Sequence, residues 1–430
     1  MHADFLFELG TEELPTGSVK QLANAICDDL CNNFNKLNVQ YKNASSFSTP
    51  RRLAVKIEGL DCFTPKTSTL HWGPTKSIAF DSSNLPTKAG EAFAKKFNID
   101  TKNLHEFLKS DGDKEKLLFE GISEQIDITT LFQELIQSTL SKLPMPKKMR
   151  WGARKDYFVR PVKWAVLIFN NKVYEINIFG LKTADITKGH RFHSDKELII
   201  KSPESYESQL LSNKVIANFD KRKDEIRRQI AEIETETGLK AEIDENLLIE
   251  VTALCEWPVA IIGNFKEEYL TVPSEALVSS MKKHQKFFHL IDTNGDLTSS
   301  FITISNIESK DANVVKTGNE RVVNSRLADA AFFYDKDISQ SLGTRRKKLK
   351  EVVFQEKLGS LFDKTERIKA LARYLCEYTG ADVESAFKAS ELCKVDLVTD
   401  MVNEFPSLQG VMGGYYAKHD GESDSVSVAI

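Results

Sequence analysis

The strongest constraint on the fold is a change in hydrophobic period partway along the chain. Before about Asn319, short apolar runs at the two-residue period of strands alternate with stretches at the helical period; after it, only the helical period continues. Phe5 to Leu9 reads as a buried strand, and Ser18-x-x-Gln21 as a capping box for a helix whose Val19, Leu22, Ile26, Leu30, Phe34 and Leu37 share one face. Leu53, Val55 and Ile57 alternate with Ala54, Lys56 and Glu58, completing a strand, helix, strand opening. Residues 61–145 mix Pro, Ser, Thr and Lys with helical runs at Gly90 to Phe97 and Thr129 to Leu143, and are expected to hold an irregular segment followed by helices, without strands. Trp164 to Phe169 and Val173 to Phe179 flank Asn170-Asn171-Lys172, a hairpin signal. Phe287 to Ile291 turns through Asn294-Gly295 into Phe301 to Ser305, a clearer one. Between the hairpins, Asp220 to Thr237 is a polar helix with a thin stripe of Phe219, Ile226, Ile230 and Ile233. Asp224 and Arg228 stand at ion-pair spacing and Gly238 at the C-cap. Val259 to Ile262 is a strand, and a helix follows Pro273. Further on, Gly380 closes one helix, and Val395, Val398, Met401, Val402 and Phe405 face the core of another. A chain of 430 residues exceeds one ordinary core. The fold class is therefore α+β and multidomain, mixed strand and helix first and all-helical last, with domains expected over 1–60, 61–200, 201–335 and 336–430.

Charge is distributed unevenly along this frame. The net charge is -4, yet Lys147 to Lys163 carries Lys147, Lys148, Arg150, Arg154, Lys155, Arg160 and Lys163 against the single acid Asp156, with Trp151, Tyr157 and Phe158 interleaved. Cationic groups neutralise phosphates and flat rings stack on unpaired bases, so the combination suits RNA, while a solvated loop beside a strand is the plain alternative. Trp151 is either a stacking residue or a core anchor. Arg160, held by Pro161, either faces RNA or turns inward to an acid. No apolar run is long enough to span a bilayer, and Asp4 and Glu8 stand where a secretory signal would need basic then apolar residues, so a cytoplasmic protein is expected. The six cysteines contain no Cys-x-x-Cys pair. His190 and His193 have no third ligand at metal spacing, and Asp292, Asn294 and Asp296 mimic a calcium loop whose closing Glu is missing, so no metal is expected. Glu12 and Glu13 are read as solvated acids near a helix start rather than a catalytic pair. Neither a phosphate-binding Gly-rich loop nor an adenylation signature occurs, and no catalytic residue is assigned.

Lys147-Lys148-Met149-Arg150-Trp151-Gly152, Phe158-Val159-Arg160-Pro161-Val162 and Gly189-His190-Arg191-Phe192 resemble the beta subunit of the bacterial two-subunit glycyl-tRNA synthetases. So do Phe5 to Pro15, Thr49-Pro50-Arg51-Arg52-Leu53-Ala54, Glu256-Trp257-Pro258, Asn306 to Ser309, Gly318 to Val323, Arg326 to Ala330 and Gln409 to Gly413, in that order. The resemblance implies a chain that binds and positions glycine tRNA while a separate alpha subunit, in an assembly of two of each, carries the adenylation site and uses ATP and Mg. This chain itself would hold no cofactor. It implies tRNA contacts from Arg51, Arg52, Lys147, Lys148, Arg150, Trp151, Arg154, Arg191, Arg345 and Arg346. The cluster Arg345-Arg346-Lys347-Lys348 also reads equally as a solvated helix surface. The helical region resembles an HD-type domain, but Lys394-Val395-Asp396 stands where the His-Asp pair would be, and His419-Asp420 is a chance echo. The family's beta subunit continues beyond Ile430 into an anticodon-binding domain, so this chain is expected to be a fragment, a gene-split product or a shortened form. An HD-type phosphohydrolase and a general RNA-binding scaffold are the competing readings.

Overall fold

The structure is a computed structural model and describes residues 1–153, 155–194 and 196–430. The chain divides into two compact units. The first comprises Met1–Leu14, Gln21–Thr187 and Glu197–Tyr206, and the second comprises Pro15–Lys20, Lys188–Lys196 and Glu207–Ile430.

The first unit is built on β1 (His2–Thr11), the helix α1 (Thr16–Lys36) from Gln21 onward, β2 (Asn43–Thr49) and β3 (Arg52–Asp61). Helix α1 starts two residues before the capping box that the sequence suggests, directly after Pro15. β2 was not anticipated, because its Asn43-Ala44-Ser45-Ser46 half lacks the apolar alternation that marked β3. β1 lies between β3 and β7 (Val162–Phe169), antiparallel to both, and β8 (Lys172–Val173) closes the order β2-β3-β1-β7-β8. The β7–β8 hairpin forms through Asn170 and Asn171, both at positive φ, which asparagine tolerates. Leu22, Ile26, Leu30 and Phe34 of α1 are buried, and Phe5 packs against Phe34 and Phe132 at ring distances of 6.1 and 5.3 Å. Gly10 faces Trp164 across the β1–β7 pair, and a Cβ there would lie 1.9 Å from the indole, so only glycine lets the ring cross the strand.

Residues 61–145 do contain strands, contrary to the expectation. β4 (Ser68–Thr75), β5 (Leu108–Asp111) and β6 (Lys114–Ile122) form a sheet in the order β4-β6-β5, with α2 (Lys88–Lys96) contributing Phe93 and Ala94 to a small core with Leu104 and Leu117. Leu70, Trp72 and Ile122 stay exposed, so the strands lack the one-sided burial that would give a clean alternation. Helix α3 (Phe132–Ser141) follows.

In the second unit, α4 (Phe219–Thr237) ends at Gly238 with φ +71, as the sequence indicates. Arg228 pairs with Glu225 and Glu232 rather than with Asp224. Strand β9 (Lys240–Ala241), helix α5 (Glu245–Leu254), β10 (Val259–Asn264), helix α6 (Ser274–Ser280), β11 (Phe288–Ile291) and β12 (Leu297–Ser305) give an antiparallel sheet of order β9-β11-β12-β10. One face packs Phe288, Leu290 and Ile302 on Ile226, Ile230, Leu248 and Val251 of α4 and α5. Phe301 packs instead with Leu277 and Met281, and with Val323, Leu327 and Ala330 of α7 (Ala312–Ile338). The β11–β12 turn is set by Asp292, whose carboxylate accepts the Asn294 and Asp296 N–H groups, and Gly295 has φ +88. The final helices are α8 (Leu361–Thr379), which ends at Gly380 in the left-handed region, α9 (Val383–Leu392), α10 (Val411–His419) and α11 (Asp424–Ala429). Met412 and Tyr416 of α10, with Met401, Val402 and Phe405 before it, share the core that holds Leu327 and Phe301. Residues 395–405 are not one helix: Thr399 is extended and caps a new turn, Asp400–Glu404. A two-strand ladder, Val353–Gln355 with Gly359–Ser360, also interrupts the helical region.

Candidate nucleic-acid interface

The basic stretch is a closed loop in the first unit. Met149 and Phe158 exchange backbone hydrogen bonds of 2.8 and 3.1 Å, which clamps the ends of the segment between them. Phe158 is fully buried and packs on Phe179 with 5.3 Å between centroids; Trp151, half-buried, packs on the same ring at 5.9 Å. Trp151 is thus an anchor of the loop. The aromatic that it presents to solvent is Tyr157, 52% exposed, with the Arg150 guanidinium 5.5 Å from its ring centroid. Of the two readings that the sequence left open for Trp151, its packing on Phe179 favours the anchor. The strand-like alternation of Tyr157 outward and Phe158 inward was the available signal.

Lys147, Lys148, Arg150 and Lys155 are exposed. Among the described residues none of their side chains has an ion-pair or hydrogen-bond partner. The neighbouring cations differ: Lys163 reaches Glu12 at 3.1 Å, and Arg160 donates from Nε to the Glu13 carbonyl at 3.0 Å, so it turns to a backbone oxygen rather than an acid. Arg154 lies outside the described residues. Four cations in and just before this loop, without a partner among the described residues, raise the local potential and suit phosphates.

The other cations assigned to tRNA are placed differently. Arg51 is buried, and Arg52 fully so. Its guanidinium lies 3.6 Å from Glu8 and donates to Thr49 and Thr187 at 3.2 and 3.3 Å. Glu8, equally buried, also accepts from the Trp164 indole and the Tyr206 hydroxyl at 2.5 Å each, and from the Thr187 hydroxyl. Burial and the adjacent Glu8 charge push the Tyr206 phenol well above its ordinary pKa, so it stays a donor. Arg345 is buried against Asp337 at 3.5 Å. That carboxylate also accepts from the Asp400 and Met401 N–H groups and the Tyr416 hydroxyl. For Arg52 and Arg345 the expectation of a phosphate contact is corrected to that of a core ion pair, because a side chain with almost no accessible surface is not placed to meet a phosphate. Arg346 pairs with Glu366 and covers the Phe362 ring at 4.6 Å.

Arg191 lies exposed on the turn formed by Gly189 to Ser194, in the second unit. His190, fully buried, holds that turn: its Nδ1 accepts the Phe192 N–H at 3.2 Å and its Nε2 contacts Asn306 Oδ1 at 3.3 Å. Burial lowers the His190 pKa, which fits a neutral ring accepting at one nitrogen and donating at the other. No group of three His, Cys, Asp or Glu side chains among the described residues is arranged for a metal. Asp396 and Asp420 have structural roles: Asp396 accepts from the Gly410 and Gly413 N–H groups, and Asp420 from that of Leu342. No helix among the described residues is long and apolar enough to cross a membrane.

The family model described as glycyl-tRNA synthetase beta subunit matches residues 5–430. Similar proteins include the glycine–tRNA ligase beta subunits of Marinobacter nauticus, 45% identical over 99% of this chain and 62% of the relative, and of Chromohalobacter salexigens, 43% identical over 99% and 61%. That of Hahella chejuensis is 42% identical over 100% of this chain and 62% of the relative. The chain therefore spans about three fifths of the length of these relatives.

Proposed function

We propose, from the premise that this chain belongs to the glycyl-tRNA synthetase beta-subunit family, that it captures glycine tRNA and positions it for aminoacylation by a complex with an alpha subunit. The observation that carries the reading is the loop between Met149 and Phe158. In a net-acidic protein with many ion pairs, this loop and the two residues before it hold Lys147, Lys148, Arg150 and Lys155 without a partner among the described residues, and Tyr157 is exposed beside Arg150. Each cation set against a phosphate releases counterions, and the tyrosine offers a face to a base. Arg191 and Arg346 are further candidates, Arg191 exposed and Arg346 paired with Glu366.

Adenylate formation is assigned to the alpha subunit, where ATP and Mg act, and two copies of each chain make up the assembly. Glycine gives an active site almost no side chain to grip, so binding energy from remote parts of the tRNA must position the acceptor end. The helical region is read as HD-type in fold without phosphohydrolase chemistry, since the carboxylates at the motif positions are engaged with backbone N–H groups. The protein is placed in the cytoplasm with the rest of the translation machinery. The test is glycine-dependent pyrophosphate exchange and aminoacylation, measured for the chain alone and after mixing with an alpha subunit. Activity only in the mixture is expected; pyrophosphate exchange by the chain alone would overturn the assignment.

A further inference from the structure

The Gly189 to Ser194 turn has a second feature that the basic loop does not explain. Phe192 is 64% exposed beside a histidine with no accessible surface. A single exposed apolar side chain means little by itself. What sets this one apart is how firmly the backbone beneath it is fixed. The His190 N–H donates to the Asn213 carbonyl at 3.1 Å, the His190 carbonyl accepts from the Ser194 N–H at 3.0 Å, and Nδ1 of its ring takes the Phe192 N–H. Ser194 Oγ donates to Asn213 Oδ1 at 3.1 Å, and His193 Nε2 accepts the Glu308 N–H at 3.1 Å. A Cβ on Gly189 would lie 2.6 Å from the Ser194 side chain, so the turn closes only with glycine there. Asn306 Oδ1, which His190 meets from below, also accepts the Glu256 and Trp257 N–H groups at 2.7 and 3.2 Å. Three sequence motifs, Gly189-His190-Arg191-Phe192, Glu256-Trp257-Pro258 and Asn306-Ile307-Glu308, are therefore joined to hold one turn. The two side chains that this turn leaves most exposed are Arg191 and Phe192.

A ring carried on a backbone fixed before binding leaves only its own side-chain freedom to lose when it is covered, which favours affinity. Lys188, Arg191 and Lys196, all exposed, lie within four residues of Phe192 in the sequence, against the acids Asp195 and Glu197. Positive charge around a bare ring suits a phosphate-linked base better than an apolar protein surface.

We propose that Phe192 is a stacking residue for an unpaired nucleotide of the bound tRNA, with Arg191 on the adjoining phosphate and His190 acting as the residue that positions both. This rests on the tRNA-binding reading of the chain and adds to it a ligand class and a residue. It is tested with the 430-residue chain and labelled glycine tRNA, by measuring affinity against salt for the wild type, F192A, F192L, F192Y and R191A, with a melting curve for each. F192A should weaken binding by ~5- to 100-fold without changing the salt slope or the melting temperature, and F192L should fall with it. F192Y, which keeps the ring, should bind like the wild type. R191A should instead lower the salt slope by about 0.7 to 0.9. Wild-type binding with an unaffected F192A, or an F192L that binds as well as the wild type, would overturn the stacking role and leave tRNA binding standing. A loss in F192A confined to association with the alpha subunit would assign the ring to a protein contact and overturn it too. A wild-type chain that binds no tRNA would bring down the proposed function and this inference with it.

Discussion

Two groups of cations in this chain look alike in sequence and behave in opposite ways. Arg52, in the Thr49-Pro50-Arg51-Arg52 motif, and Arg345, at the head of a four-residue basic run, are buried beside Glu8 and Asp337. Lys147, Lys148, Arg150 and Lys155, drawn from an equally dense run, are exposed without a partner among the described residues. Charge density along a sequence therefore does not identify a phosphate-binding surface; the supply of acids that the fold brings in does. A buried guanidinium must be paired, because desolvation of a lone charge exceeds what any single contact returns. An exposed lysine faces no such demand, and where the fold leaves several unpaired together, an external anion is the economical partner.

The largest effect that would break this contrast is on stability. R52A leaves Glu8 as a buried charge without its cation and should destabilise the first unit by about 3–5 kcal/mol, and R345A should do the same to the second through Asp337. Denaturant melts of either variant that overlay the wild type would mean that these are ordinary surface cations. A smaller effect separates the two aromatics of the loop. W151A removes a half-buried anchor on Phe179 and should cost about 1–2 kcal/mol, whereas Y157A should leave the melt unchanged and weaken tRNA binding by ~1–3 kcal/mol. The reverse pattern would exchange their roles.

Acid provides the finest probe. Burial lowers the pKa of His190 and His289 below the ordinary value of 6.5. The unfolded chain then binds more protons than the folded one at mildly acidic pH, so stability should fall as pH drops below 6.5 toward the folded-state values. The second unit should melt at lower temperature at pH 5 than at pH 7, and H289Q should flatten that dependence. An equally steep pH profile in H289Q would remove this histidine from the account.

Much of the frame was legible in the sequence where one face of an element is dry. β1, β3 and β7 announced themselves because Phe5, Leu53 and Val166 and their neighbours are buried, and the Asn294-Gly295 turn because its backbone demands those residues. The sheet of β4, β5 and β6 was not legible, since Leu70, Trp72 and Ile122 are exposed on strands otherwise rich in polar residues. The break at Thr399 was hidden because Val395, Met401, Val402 and Phe405 are all buried, as they would be on one helix. At the site, the position of the basic loop could be read. Which cations stay free could not, because Arg52 finds Glu8 on another strand and only the folded chain shows it. For the same reason the sequence left Trp151 open between stacking and packing, since its burial depends on Phe179 across the fold.

The most direct test of the central claim is the salt dependence of glycine tRNA binding by the K147A/K148A/R150A variant. If these unpaired cations meet phosphates, the slope of log affinity against log salt should flatten by roughly 2 to 3 while the melting temperature stays that of the wild type. An unchanged slope and affinity in a variant that remains folded would contradict the assignment of this loop to RNA.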